Sequence, residues 1–324
     1  MIISAKKEMI FDEVCPTPSC HASTVLPLEN GEVLASWFGG EKEGKDDVDI
    51  WVARRTADGW LPAERISADL DMPHWNPVLF KTNDNTVWLF FKVGKKISIW
   101  QTYFCTSTDN GKTWSTPKEL VPGDETGGRG PVKNKPIYLS DGTVLAPASS
   151  EQPDWLCFMD ISKDNCKTWE KQQIIPAKKI NGVPAKLIQP TVWESEPGKV
   201  HALLRSARGH LYRSDSDDYG VTWSRAYPTK LKNPNSGVDV TQLSDGTLIL
   251  ISNPASRNWG VRAPLTLMQS KDNGETWEEI LVLEKRRDKD DEFSYPAIVA
   301  VGKKLYMTYT YQREKIAYWE VEIG

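Results

Sequence analysis

The octapeptide Ser107-Thr108-Asp109-Asn110-Gly111-Lys112-Thr113-Trp114 decides the fold, because it recurs. It returns as Ser162-Lys163-Asp164-Asn165-Cys166-Lys167-Thr168-Trp169, then as Ser216-Asp217-Asp218-Tyr219-Gly220-Val221-Thr222-Trp223, and again as Ser270-Lys271-Asp272-Asn273-Gly274-Glu275-Thr276-Trp277. A shortened copy, Thr56-Ala57-Asp58-Gly59-Trp60, precedes them. The closing tryptophans Trp60, Trp114, Trp169, Trp223 and Trp277 are therefore 54, 55, 54 and 54 residues apart. A fixed period of this kind marks a repeat architecture. Each copy reads as a tight turn: Asp bonds nearby backbone amides, Gly takes the positive-φ position, and Trp folds back as an apolar plug. That is scaffold work, and it separates these residues from any site.

A second signal runs in phase with the first. Alternating apolar segments flank a turn at residues 26–35, 78–90, 137–145, 192–203, 240–250 and 298–307, with Asn30-Gly31, Asp141-Gly142, Pro197-Gly198 and Asp245-Gly246 among the turn markers. No amphipathic helix longer than two turns interrupts them. The pattern predicts an all-β six-bladed β-propeller built of four-stranded antiparallel blades. The sixth unit starts near Tyr295 and ends before an octapeptide appears, so Met9-Ile10-Phe11 is expected to complete it and join the two ends of the ring. Six periods of 54 make 324, which predicts one propeller domain over residues 1–324 with no appended module.

Composition narrows the function classes. With 39% hydrophobic and 26% charged residues the chain can bury a core and is not disordered. Forty Lys and Arg against 44 Asp and Glu give no basic face for nucleic acid. No apolar run approaches the roughly 18 residues of a membrane span. The first residues lack a signal-peptide pattern, so a cytoplasmic protein is expected, although a chain trimmed of its leader would look the same. Cys15, Cys20, Cys105, Cys157 and Cys166 are too scattered for a zinc framework and are expected to be reduced thiols, although Cys15 and Cys20 are close enough to bridge. No metal or other cofactor is called for, and the oligomeric state is open.

The octapeptide is similar to the Asp-box of the sialidase (neuraminidase) superfamily, and the resemblance covers essentially the whole chain. It implies a site at the propeller centre. There three arginines hold a substrate carboxylate, a tyrosine paired with a glutamate acts as nucleophile, and an aspartate is the general acid. Arg205, in the stretch from Gln189-Pro190-Thr191-Val192-Trp193-Glu194 to Leu203-Leu204-Arg205-Ser206, falls on the second arginine. Arg262 falls on the third, Tyr295 in Phe293-Ser294-Tyr295-Pro296 on the tyrosine, and Asp47 on the acid, with Asp46 close behind. Two positions depart. His21 stands where the first arginine belongs, and Gln189 stands where the glutamate belongs; an amide is no base, so the usual activation of Tyr295 is missing. The chain looks like a member outside the true sialidases.

Taken without the family, Arg205, Arg262 and the cluster Arg129, Lys133 and Lys135 suit an anion, because guanidinium groups bind a carboxylate in a planar, bidentate way. The expected partner is an acidic carbohydrate: a sialic, ulosonic or uronic acid. His21 could be base or acid, or simply a substrate contact. Trp75 and Asn76 could stack on and hydrogen-bond a sugar, with Trp75 equally able to be core. Glu292, three residues before Tyr295, could replace the missing glutamate. Three functions stay open: a glycoside hydrolase with Asp47 as acid and Tyr295 as nucleophile, a uronate lyase using His21 and Tyr295, and a non-catalytic sugar-binding propeller.

Overall fold

The 54-residue period becomes a ring of six antiparallel sheets in the computed structural model, which describes residues 2–11, 15–124, 126, 128–151, 154–177, 182–183 and 185–324. Blade 4 shows the plan: strands Leu187–Glu196, Lys199–Ser206, His210–Ser216 and Tyr227–Lys232 follow one another outward from the axis. Inner strands Ser19–Pro27, His74–Lys81, Ile137–Tyr138, Asp239–Gln242 and Phe293–Val301 begin the other blades. Blade 1 carries an extra short strand, Glu64–Ile66, against Asp49–Thr56.

Six apolar clusters, one at each junction between neighbouring blades, form the core. Phe38 and Ile50 meet Leu79 and Phe91 between blades 1 and 2, and Leu145 and Met159 meet Val192 and Leu204 between blades 3 and 4. Blade 6 meets blade 1 through Ile316, Tyr318, Val25 and Trp37, so the ring closes on hydrophobic contact. It also closes on backbone hydrogen bonds. Strand Ile2–Met9 pairs along Lys315–Ile323 as the outermost strand of blade 6. The closing strand therefore precedes the expected Met9–Phe11 segment. Its solvent-facing edge carries Lys6, Lys7 and Glu8 instead of an apolar run, as edge strands do, and so it does not stand out in the sequence.

The four full Asp-boxes work as their sequence predicts. Asp218 accepts from the Thr222 amide at 2.8 Å, the Thr222 hydroxyl at 2.6 Å and the Ser216 hydroxyl at 2.8 Å. Tyr219 and Gly220 take left-handed φ values of 60° and 81°, and Trp223 Nε1 donates to the Gly220 carbonyl. The boxes also latch blades together. Arg213 of blade 4 donates to the Asn273 carbonyl in the blade 5 box at 2.8 Å, and Arg54 of blade 1 donates to Asn110 of the blade 2 box at 2.7 Å. Ser195, His201 and Asp215 form a hydrogen-bonded line beside this latch (2.7 and 2.6 Å), but Asn273 and Arg213 also hold the two ring nitrogens, which makes the line part of the joint.

Two stability predictions follow from these bonds. Asp218→Ala removes three hydrogen bonds to a charged acceptor and should cost about 2 kcal/mol in urea unfolding at pH 7. Burial tends to raise the pKa of Asp218, but the donors of Thr222 and Ser216 outweigh it and hold it below the usual carboxylate value. The contribution is thus complete above the unfolded pKa of about 3.9 and is lost as pH falls through the folded one, so the Ala penalty should shrink in acid. Thr191→Val, which strips the hydroxyl that receives the Val240 amide at 3.0 Å and donates to Asp239 at 2.8 Å, should cost about 1–3 kcal/mol in the same assay.

Candidate active site

Four inner strands turn at a left-handed residue near their first end: Ala22 (φ 55°), Asn76 (44°), Gln189 (51°) and Tyr295 (51°). The pairing register slips at each of these places. A non-glycine residue at such φ costs about 1–3 kcal/mol and clusters at functional sites, and a bulge re-aims side chains. Here the result is convergence. His21, Asn76, Gln189 and Tyr295 line one cavity of about 170 Å³ together with Arg205, Arg262 and Arg313. Because inner strands start on this face and third strands end on the other, the Asp-boxes lie on the opposite face of the ring.

Arg205, only 2% exposed, is fixed on three sides. Its Nε donates to Asn235 at 2.7 Å, and its Nη1 donates to Gln189 Oε1 at 2.9 Å and to the Tyr295 hydroxyl at 2.8 Å. Gln189 Nε2 donates to the same hydroxyl at 3.3 Å. Arg262 Nη1 and Arg313 Nε share Glu292 Oε1 at 2.9 and 2.8 Å, and Arg313 also pairs with Glu43. Burial works to raise the pKa of Glu292, but Arg262 and Arg313 outweigh it and keep the carboxylate charged. His21 packs on the Tyr295 ring at 4.2 Å between centroids, and its Nδ1 meets the Thr310 hydroxyl at 2.9 Å. Burial first, then Arg313, Arg262 and Arg205, push its pKa well below the ordinary histidine value, so the imidazole is neutral at pH 7.

The sequence candidates divide. His21, Trp75, Asn76, Gln189, Arg205, Arg262 and Tyr295 share the cavity, and Trp75 is also core, with Nε1 bonded to the Gly94 carbonyl. Asp47 does not line it. That side chain is exposed and accepts the Glu41 amide at 2.7 Å, while Asp46 pairs with Lys95. Arg129 is turned away into a bidentate pair with the fully buried Asp160, and Lys135 into a pair with Asp239 at 2.9 Å. A buried carboxylate near each of these cations explains why neither reaches the cavity.

Three charged lining residues escaped the sequence reading. Arg313 sits in a turn whose central residues, Gln312 and Arg313, both take positive φ (55° and 60°), without the Gly or Asn that flags such turns. The Arg313 carbonyl receives the Cys20 amide at 2.8 Å, which sets this guanidinium beside His21. Glu43 precedes the expected acid by four residues, and Glu151 follows strand Val144–Ser150. Trp259, 64% exposed, stands at the rim with Trp155 at 6.5 Å.

Residues 31–307 match the family described as BNR repeat-like domain. The chain belongs to that family. A relative, a sialidase of Bacteroides fragilis (strain YCH46), is 25% identical over 303 residues, covering 86% of this chain and 49% of its own length. Among solved structures, a Hadza microbial sialidase superposes with a TM-score of 0.77 at 19% identity, over 94% of this chain and 66% of that one. A protein of unknown function from Dyadobacter fermentans gives 0.80 at 17% identity over 100% of both chains, and Trypanosoma rangeli sialidase gives 0.74 at 15% over 99% and 60%. At these identities the solved structures show the six-bladed sialidase-like fold. The chain spans about half the length of the curated relative.

Cys15 and Cys20 are neighbouring free thiols, and Cys20 lies on the strand that carries His21. The Cys20 thiol donates to Cys15 and brings the Cys15 pKa down to about 6, while the same contact and burial push Cys20 up. Iodoacetamide at pH 7 should therefore carboxamidomethylate Cys15 ahead of the buried Cys105, Cys157 and Cys166, with a half-maximal rate near pH 6. Peptide mass spectrometry across pH reads this directly, and Cys20→Ala should move the midpoint up toward an ordinary thiol.

Proposed function

We propose that this protein is a glycoside hydrolase that removes a terminal acidic sugar from a glycan. The carrying observation is that three guanidinium groups, Arg205, Arg262 and Arg313, meet around Tyr295 in one cavity. Such a group is suited to a carboxylate, and its members are pre-set: Arg205 by Asn235 and Gln189, Arg262 and Arg313 by Glu292. The sialidase relatives support the same class of substrate.

In this reading the arginines hold the sugar carboxylate and so fix the anomeric carbon over Tyr295. The Tyr295 oxygen is the nucleophile, held by the Arg205 and Gln189 donors, and its proton passes to water in the cavity as it attacks. Water then releases the sugar. Positioning carries much of the rate, since a held, aligned nucleophile replaces a bimolecular encounter.

The test uses 4-nitrophenyl glycosides of glucuronic acid and of sialic acid, followed by release of the phenol and of a new reducing end. Arg262→Met and Arg313→Met should each lower kcat/KM by about 100-fold or more, as expected for losing one charge-assisted contact of about 3 kcal/mol. Tyr295→Phe should abolish turnover. A lyase would instead give an unsaturated uronate absorbing in the near ultraviolet. If all three variants turn over every cleaved glycoside like the wild type, the reading is wrong.

A further inference from the structure

Breaking a glycosidic bond needs a proton for the departing oxygen, and Asp47 lies outside the cavity. Among the described residues, two carboxyl groups line the cavity itself, Glu43 and Glu151. Glu43 is committed to Arg313. Glu151 extends from blade 3 at the end of strand Val144–Ser150, one residue after Ser150 and two after the buried Ser149, whose hydroxyl receives the Gln189 amide at 3.1 Å. Among the described residues, Glu151 has no hydrogen-bonding or ion-pairing partner.

The charges around it point the same way. Arg205 faces Glu151 from blade 4 and Glu43 faces it from blade 1, while Arg262, Arg313, Tyr295 and His21 line the remaining wall, with Glu292 behind the two arginines. Three guanidinium groups against Glu43 and Glu292 leave one positive charge, provided Glu151 is protonated. One substrate carboxylate then neutralises the site. An ionised Glu151 would leave the bound anion in surplus inside a desolvated cavity, an unfavourable arrangement.

We infer that Glu151 is the catalytic acid of this cavity, the group that protonates the leaving oxygen. The assignment rests on the hydrolase reading for its substrate. Burial first raises its pKa, Glu43 adds to the rise and Arg205 opposes it in part, the environment of a carboxyl kept as an acid near neutral pH. In the step, the Glu151 O–H bond breaks and its proton passes to the glycosidic oxygen. The C–O bond breaks with its electron pair on that oxygen, so a neutral alcohol leaves. Glu151, now a carboxylate, takes a proton from the water that releases the sugar, and the acid is restored.

Glu151→Gln in the full chain tests this. With sugar or alkyl leaving groups kcat/KM should fall about 10²- to 10⁴-fold. With 4-nitrophenoxide, which leaves without a proton, the loss should be below about tenfold, and the fall in rate on the basic side of the pH profile should vanish. Equal losses on both leaving groups, or the same selectivity in Asp47→Asn instead, overturn the assignment. A wild type that cleaves none of these glycosides defeats the hydrolase reading itself. Glu151 is then judged by carbon-13 NMR of the protein labelled at its glutamate carboxyls, with Glu151→Gln identifying its signal. A midpoint above the ordinary glutamate value of about 4.3 upholds a protonated Glu151, and an ordinary midpoint overturns it.

Discussion

A propeller has six inner strands whose axis-facing edges have no sheet partner, and every amide on such an edge must still find an acceptor. This chain supplies the acceptors as side chains from the neighbouring blade. Thr24 of blade 1 receives the Leu79 amide of blade 2, and Ser149 of blade 3 receives the Gln189 amide of blade 4. Thr191 of blade 4 receives Val240 of blade 5, while Asp239 and Thr241 of blade 5 receive Ile298 and Ala300 of blade 6. Asp239 gathers donors from blades 3, 4, 5 and 6: the Lys135 ammonium, the Thr191 hydroxyl, its own neighbour's amide and the Ile298 amide. Lys133 answers from the donor side, reaching Asn134, the Val238 carbonyl and the Pro296 carbonyl. The hub is thus a polar knot between apolar blade junctions, and it fixes where each inner strand begins.

That fixing is what makes the cavity possible. Left-handed φ at Asn76, Gln189 and Tyr295 is unfavourable locally and persists because the strands on both sides are already held. The knot and the cavity share strands: Pro296, bonded by Lys133, is the residue after Tyr295, and Thr191 is two after Gln189. Stability spent at the hub and strain stored at the site are parts of one arrangement.

The repeat and the six hairpins were legible because turn chemistry is local: Asp, Gly and Trp at fixed offsets specify a turn wherever they fall. Arg205, Arg262 and Tyr295 were legible because they keep their place relative to that repeat. Arg313 and Glu151 were not. The first rides a turn of non-glycine residues, so nothing in Tyr311-Gln312-Arg313-Glu314 signals positive φ. The second sits past a strand end, and only the folded ring brings it to Arg205 of blade 4 and Glu43 of blade 1 around one cavity. Arg129 and Lys135 misled for the converse reason, since the partners that capture them, Asp160 and Asp239, are 31 and 104 residues away.

The two departures from the sialidase pattern are coupled through these contacts. His21 occupies an arginine's place, yet a third guanidinium is present: Arg313 comes in from the neighbouring blade, bonded through its carbonyl to the residue before His21. The charge that Arg313 brings is one reason His21 remains neutral. Gln189 has a second effect. With Oε1 accepting from Arg205, its Nε2 must face Tyr295, and both neighbours then donate to the phenolic oxygen. A carboxylate there would have drawn the phenol proton inward. The amide forces that proton out toward the cavity, on the side where the His21 imidazole lies against the same ring, so the change from carboxylate to amide reverses the direction of the hydrogen bond at the phenol.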